Sequence, residues 1–263
     1  MKIAVLLTCH NRCEKTTECL RRLHSSWSQT PLNLSVYLVD DGCTDTTVSS
    51  VTNEFPNVNI IKGDGTLFWN RGMLLAWETA IKQDNYDGVL WLNDDTMLFE
   101  SAIPTLYSYI KKDASALIVG TTCSNNTQEL TYGVRLNECL VPPSEYPVKY
   151  NGINGNFVYV PSSVYKEIGL LDSFYRHSIG DFEYGRRASK LGIACFATDV
   201  IGTCDRNSPI PIWKKGNIRE RFKKLYSPLG NNPKESYHFL KSESKLKAII
   251  VFVYIHFKVA FNL

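Results

Sequence analysis

The sequence predicts an α/β fold, with a mostly parallel central sheet and helices on both faces. Three observations carry that expectation. Short apolar runs rich in branched residues alternate with stretches of helical periodicity from residue 2 to about residue 123. Alternation of this kind builds a parallel sheet, because each crossover helix carries the chain back to the same edge. Polar clusters also follow three of the runs, as "TCHNR", "DDGCTD" and "NDD". Open α/β sheets bind ligands at the carboxyl ends of their strands, where these clusters fall.

Each element has its own signal. "KIAVLLTC" is a short branched-apolar run and reads as a first buried strand. "KTTECLRRLHSSW" sets Leu20, Leu23 and Trp27 at helical spacing. "LSVYLVDDG" is a second strand that ends in two aspartates and a glycine, and "TDTTVSSVTNEF" a weakly patterned helix. "VNIIKG", "RGMLLAWETAIKQ" and "DGVLWLNDD" read as strand, helix and strand, and "SALIVGTTC" as a fifth strand. Between Gly120 and Tyr150 the pattern loosens into short strands and loops. "GINGNFVYVPSSVYKEIG" then reads as turn, strand and helix. "GDFEYGRRASKLG" is a short helix, acidic at its start and basic later, as the helix dipole favours.

Composition bounds the class. The 263 residues are 44% hydrophobic and 21% charged, enough for one sizeable core with an appendage. In "MKIAVLLTCHNR" the apolar run is only "IAVLL", without a small-residue cleavage site, so no secretory signal is expected. The eight cysteines form no C-x-x-C pair, which suits free thiols and a cytoplasmic location. No segment reaches the ~18 apolar residues of a spanning helix. The net charge of +3 hides an asymmetry: residues 206–263 carry a surplus of +9, which leaves −6 on residues 1–205. We therefore expect an acidic body over 1–205 and a basic, apolar extension over 206–263. The run "AIIVFVYIHFKVAF" is interrupted by His256 and Lys258. It is expected to lie on the inner membrane surface as a peripheral anchor. Packing against the body, or a homodimer contact, is the alternative use of that run.

The strand-end clusters carry the chemistry. No G-x-G-x-x-G follows the first strand and no P-loop is present, so neither a dinucleotide site nor an NTPase site is supported. The motif set resembles family 2 glycosyltransferases, which have the GT-A fold, from residue 2 to about residue 205. The resemblance rests on "VLLTCHNR", "LVDDGCTD", "LNDDT" and "GDFEYGRRA", in that order. It implies an inverting, metal-dependent transfer of a sugar from a nucleoside-diphosphate sugar, UDP or dTDP, to a glycan hydroxyl. It is closest to bacterial enzymes that build O-antigen or capsule repeats on a lipid-diphosphate carrier, so a lipid-linked glycan is the expected acceptor. No nucleic-acid partner is expected.

The resemblance also assigns residues. Thr8 and Asn11 would line the nucleotide pocket. Asp41 would accept the N3–H of a uracil or thymine ring, and Asp40 would support the loop or the ribose. Asn70 and Arg71, in "FWNRGM", would bind the donor, Arg71 at its diphosphate. Asn93 and Asp94 would bind the nucleotide sugar, and Asp95 would be the direct ligand of Mg²⁺ or Mn²⁺, whose hardness suits oxygen donors. Asp181 would be the catalytic base, with Glu183 as its backup; Gly180 stands where the family has a Glu. The family's later histidine ligand is missing from "VIGTCDRNS", which leaves Cys204 or Asp205 in that neighbourhood. Two other readings fit less well. A nucleotidyltransferase would need a glycine-rich loop after the first strand, and "TCHNRCEK" has no glycine. A non-catalytic binding protein on the same fold would have no need of Asp41, Asp95 and Asp181 together.

Overall fold

The computed structural model describes residues 1–206 and 210–263. Its elements begin with β1 (Lys2–Cys9), α1 (Cys13–Trp27), β2 (Asn33–Asp40), α2 (Thr47–Glu54) and β3 (Asn59–Lys62). Next come α3 (Phe68–Gln83), β4 (Gly88–Leu92), β5 (Met97–Leu98), α4 (Ala102–Lys112) and β6 (Leu117–Cys123). Four short strands follow: β7 (Leu130–Tyr132), β8 (Val134–Leu136), β9 (Cys139–Leu140) and β10 (Gly152–Ile153). The body ends with β11 (Phe157–Pro161), α5 (Ser162–Ile168), α6 (Gly180–Lys190) and β12 (Cys195–Thr203).

The main sheet runs β3-β2-β1-β4-β11-β6-β12-β5, with β7 on β6. The pairs β1–β2, β1–β4, β2–β3 and β6–β12 are parallel. β11 is antiparallel to both neighbours, β4 and β6. The expected mostly parallel α/β sheet is therefore present. The run expected as a fifth strand is β6. The two-residue β5 precedes it and is too short to register as periodicity. Strand order reverses between β1 and β4, which makes their carboxyl ends the topological switch point and opens a crevice there.

Strands buried on both faces explain the near-continuous apolar runs. Along β1, Ile3, Val5 and Leu7 face one core with α1 and α4, while Ala4 and Leu6 face the other with α3 and α6. Along β4, Leu90 and Leu92 join the first core, and Val89 and Trp91 the second. Trp91 meets Trp77 of α3 edge-on at 5.7 Å and Tyr184 of α6 at 5.1 Å. These aromatic contacts lock the end of β4 to the start of α6, on which Asp181 sits. Gly72 lets α3 lie close on β1, because an added Cβ would collide with the Thr8 side chain. Gly72→Ala should therefore cost about 1–3 kcal/mol by overpacking, read as a lowered midpoint in urea; an unchanged midpoint would show that α3 can shift freely.

The extension holds a 3₁₀ turn (Ile212–Lys214), α7 (Ile218–Leu225), α8 (Pro233–Lys241) and α9 (Lys245–Phe261). An Asn217–Glu220 capping box starts α7, and Ser244 caps α9 by accepting from the Lys247 N–H. Trp213, Leu225 and Val259 form a small core of their own. The extension is tied to the body through α8 and the turn after it. Arg186 of α6 donates to Glu243 at 2.8 Å and to the Phe239 carbonyl at 2.6 Å, with its guanidinium over the Phe239 ring. His238 stacks on Phe174 and reaches Asp172 at 2.8 Å.

Candidate active site

The crevice between β1 and β4 is bridged by one cation. Arg12, in the loop after β1, donates from Nη1 to Asp94 Oδ1 at 2.8 Å and to Asp95 Oδ2 at 3.0 Å. Asp94 is 5% exposed and also accepts from Thr16 Oγ1 of α1 at 3.3 Å. Burial pushes its carboxyl up to about 6 against the pull of Arg12. Asp95 keeps part of its surface in solvent. Its Oδ1 lies 3.8 Å from Cys204 Sγ, and burial pushes that thiol up to about 12, so it is neutral. Asp205 turns away to Ser124 Oγ and the Asn125 N–H. Of the two residues expected near the acidic cluster, Cys204 is the one beside Asp95. A cleft of about 440 Å³ opens here, lined by Arg12, Lys15, Arg22 and Arg206 and by Glu18, Asp95 and Asp205. Arg12 of "TCHNR" and the two aspartates of "NDD" thus meet at one edge of the sheet.

Asn93 connects this cluster to Asp181. Its side-chain oxygen accepts from Trp69 Nε1 at 2.6 Å, and its N–H donates to the Asn156 carbonyl at 3.0 Å. Trp69 packs against Gly155, where an added Cβ would strike the indole and also lie 3.3 Å from Asp181 Cβ. Asp181 Oδ2 accepts from the Gly155 N–H at 2.9 Å, and Oδ1 from the Phe182 N–H at 2.8 Å. Burial pushes the Asp181 carboxyl up to about 6, opposed by these N–H groups. The Phe182 N–H is one of the free donors of the first turn of α6, so Asp181 also helps to cap the helix, whose N-cap residue is Ile179, at φ 75°. Left-handed backbone at a branched residue is strained. Phe68, at the start of α3, has φ 57°, so strain brackets the site on two sides.

Glu183 proves to be a clamp. Both its oxygens take Arg187 Nε, and Arg187 also donates to the Ile168 and Leu170 carbonyls, pinning α6 to that turn. That leaves Asp181 as the carboxylate of α6 that faces the loop.

The expected nucleotide residues divide. Asn11, at φ 51°, accepts from the Thr44 N–H at 2.7 Å and the Asp45 N–H at 3.2 Å, joining the loops after β1 and β2. Asp40 accepts from the Cys43 N–H at 2.7 Å and is half-buried. Asp41 is 4% exposed and holds the 63–68 loop: Oδ1 accepts from the Gly65 and Leu67 N–H groups, and Oδ2 from the Phe68 N–H. Asn70 is fully buried and donates to the Asp172 and Tyr175 carbonyls, bracing the 172–175 loop, while its Oδ1 has no hydrogen-bond partner among the described residues. Thr8 likewise packs against Gly72. Arg71 donates to the Ser173 carbonyl at 2.9 Å and stays partly exposed. His177 is half-buried beside Phe68, and burial holds its proton affinity down.

Sequence reasoning missed Arg12 and Gly155. The "R" of "TCHNR" carried a signal, a lone cation facing two acidic loops, but the pairing needs the strand order to be seen. Among the described residues no group of three or more His, Cys, Asp and Glu side chains could hold a metal. A closed protein cage is therefore not what the donor set offers. One partly exposed carboxylate, Asp95, fits the other arrangement, in which Mg²⁺ or Mn²⁺ takes one or two carboxylates and fills its shell with substrate phosphates and water.

Comparison with known proteins places the chain. The profile of glycosyl transferase family 2 matches residues 4–166, more than half the length, and the chain belongs to that family. Among solved structures, S. aureus TarS 1-349 in complex with UDP-GlcNAc is similar at 14% identity and TM-score 0.60, covering 99% of this chain and 82% of that one. A mannosyltransferase, PcManGT from Pyrobaculum calidifontis in complex with GDP-Man and Mn²⁺, is similar at 12% identity and TM-score 0.58, covering 95% and 78%. These likenesses bear on the fold, which is GT-A. The chain spans 43% of full TarS and 60% of one TarS 1-349 structure. No curated protein matches by sequence.

Proposed function

We propose that the chain is an inverting glycosyltransferase that moves a hexosyl or deoxyhexosyl group from a UDP- or dTDP-sugar to a hydroxyl of a lipid-diphosphate-linked glycan, at the cytoplasmic face of a bacterial membrane, in surface polysaccharide synthesis. One observation carries the reading: Asp181 accepts from the Gly155 N–H and Asn93, two residues before Asp95, donates to the Asn156 carbonyl, so the two acidic motifs meet at one loop. In this reading Asp95 would be the phosphate-directed group and Asp181 the proton acceptor, one on each side of that loop. The similar structures in complex with UDP-GlcNAc and GDP-Man agree with a nucleotide-sugar donor.

In this reading Asp181 takes the proton of the acceptor hydroxyl as its oxygen bonds to the anomeric carbon. The bond from that carbon to the diphosphate oxygen breaks on the opposite side, which inverts the configuration. The two backbone N–H groups on Asp181 hold its carboxylate still before attack. Arg12 lies where it can meet the diphosphate, in a cleft that sets four cations against three carboxylates. A Mg²⁺ or Mn²⁺ ion on Asp95 would supply Lewis-acid relief of charge on the leaving diphosphate. Asp41 is occupied with the 63–68 loop, so we assign the contact to the base or ribose to Asp40 and to the rim that Asn11 organises. Arg71 is the second candidate for the diphosphate.

The test is a panel of UDP- and dTDP-sugars, scored for donor hydrolysis and for transfer to a synthetic lipid-diphosphate glycan, with the product anomer read by NMR. A product that retains the donor's anomeric configuration would refute the mechanism, and no turnover of any nucleotide sugar would refute the activity. Arg12→Ala should weaken donor binding about tenfold, the loss of one charge-assisted contact, as read by calorimetry with UDP. Unchanged affinity would remove Arg12 from the donor site.

A further inference from the structure

Helix α9 has two apolar faces, and the rest of the extension covers only one. Ala248, Ile255 and Val259 fall on the covered side, where Val259 and Ile255 join Trp213, Leu225 and Phe222. His256 also turns inward, bonded to Tyr226 Oη at 2.6 Å. On the opposite side Leu246, Ile249, Ile250, Val253, Phe257 and Phe261 are each between 50% and 68% exposed. Their spacing of three and four residues makes one continuous stripe along the helix. A helix apolar all round belongs in a protein interior or at a lipid surface. With 17 residues, α9 is roughly 26 Å long at 1.5 Å per residue. No described helix is long and apolar enough to cross a membrane.

Charge decides between the occupants of that stripe. Lys247 and Lys258 border it on one side and Lys245 on the other, at helical angles set by the sequence. α9 itself carries no acidic residue. The three acids of the extension are engaged: Glu220 in its capping box, Glu235 with Arg176, and Glu243 with Arg186 and Lys247. Lys247 is answered by Glu243, but a second copy docking on the stripe would bring the Lys245 and Lys258 borders together with no carboxylate of α9 to answer them, unlike the flanking ion pairs that set helix pairing. An anionic bilayer supplies the missing charge along its whole surface.

We propose that the exposed face of α9 is a docking surface for an anionic lipid bilayer, with the helix lying in the plane of the interface. The apolar stripe sinks to the acyl boundary, Tyr254, Phe257 and Phe261 sit at headgroup level, and the lysines meet lipid phosphates. Because α8 ties the extension to α6 and to the 172–176 loop, docking fixes the orientation of the body carrying Asp181 toward the surface. This deepens the lipid-linked acceptor reading above, but binding itself is measured without any substrate.

Flotation of the full chain with vesicles of phosphatidylcholine and phosphatidylglycerol, against phosphatidylcholine alone, tests it. The wild type should float with the anionic vesicles and at least tenfold less with the neutral ones. Val253→Glu/Phe257→Glu, at two exposed positions, should stay at the bottom while keeping its circular dichroism and its hydrolysis of the donor in detergent. Lys245→Glu/Lys258→Glu should need a higher anionic fraction to float. No flotation of the wild type, or flotation unaffected by Val253→Glu/Phe257→Glu, overturns the proposal. So does a wild-type dimer in light scattering that Val253→Glu/Phe257→Glu dissolves while neither protein binds vesicles. Loss of flotation with transfer intact would sink only the docking; flotation without any transfer would sink only the enzymatic reading.

Discussion

Asp181→Asn is expected to lower transfer by about 10²–10⁴-fold, the usual contribution of a positioned base, with donor affinity unchanged. Asparagine keeps the shape and can still accept from the Gly155 N–H, so the loop should hold its place. What is lost is the proton acceptor. The variant should also be more heat-stable than the wild type at neutral pH. Burial holds the Asp181 carboxyl up at about 6 in the folded chain, whereas a carboxyl of an unfolded chain titrates near about 4. Between those values the folded state binds more protons than the unfolded one, so stability falls as pH rises through that window. Asparagine removes the cost. Wild-type turnover should fall as pH drops through about 6, as the base takes up a proton. Asp94 also titrates near about 6, so Asp94→Asn serves as the control and should keep the acidic limb. A crippled Glu183→Gln beside an active Asp181→Asn would show that the base is the other carboxylate. A variant that loses activity and stability together would point to a purely structural Asp181.

How the sequence relates to this site differs from residue to residue. The sheet was legible because a doubly covered strand needs apolar residues on both faces, as in "IAVLL" and "VLWL", and few other structures tolerate such runs. The positions of Asp95 after β4 and Asp181 at the start of α6 were legible because strand ends and helix starts collect polar groups for a reason that sequence order preserves. The motif of Asn70 marks the start of α3 correctly, but whether its amide faces a ligand or a neighbouring loop depends on where residues 172–175 fold back, some 100 residues later. Asp41 is a similar case: its carboxylate answers backbone N–H groups of residues 65–68. Arg12 could not be placed because its partners lie on the far side of the strand-order reversal. Local pattern reports which groups exist at an edge; tertiary closure decides which of them turn inward.

Asp95→Ala is expected to abolish measurable transfer while the chain stays folded. Asp95 is partly exposed, and Arg12 keeps its contact with Asp94 at 2.8 Å when Asp95 is removed. The loss should therefore appear in ligand binding and not in the unfolding midpoint. Titration with Mn²⁺ in the presence of UDP, followed by electron paramagnetic resonance, reads the ion directly: the wild type should sequester it and Asp95→Ala should not. EDTA should silence the wild type, and added Mn²⁺ should restore it. Full activity in EDTA, or Mn²⁺ uptake equal in the two proteins, would sink the assignment of Asp95. Asn93→Asp is the complementary change. An aspartate there can still accept from Trp69 Nε1, so the indole keeps its place against Gly155. It adds a third carboxylate beside Asp94 and Asp95, a repulsion that a divalent cation relieves. Asn93→Asp should therefore be active and bind Mn²⁺ more tightly, and it should be less stable than the wild type only when the ion is withheld.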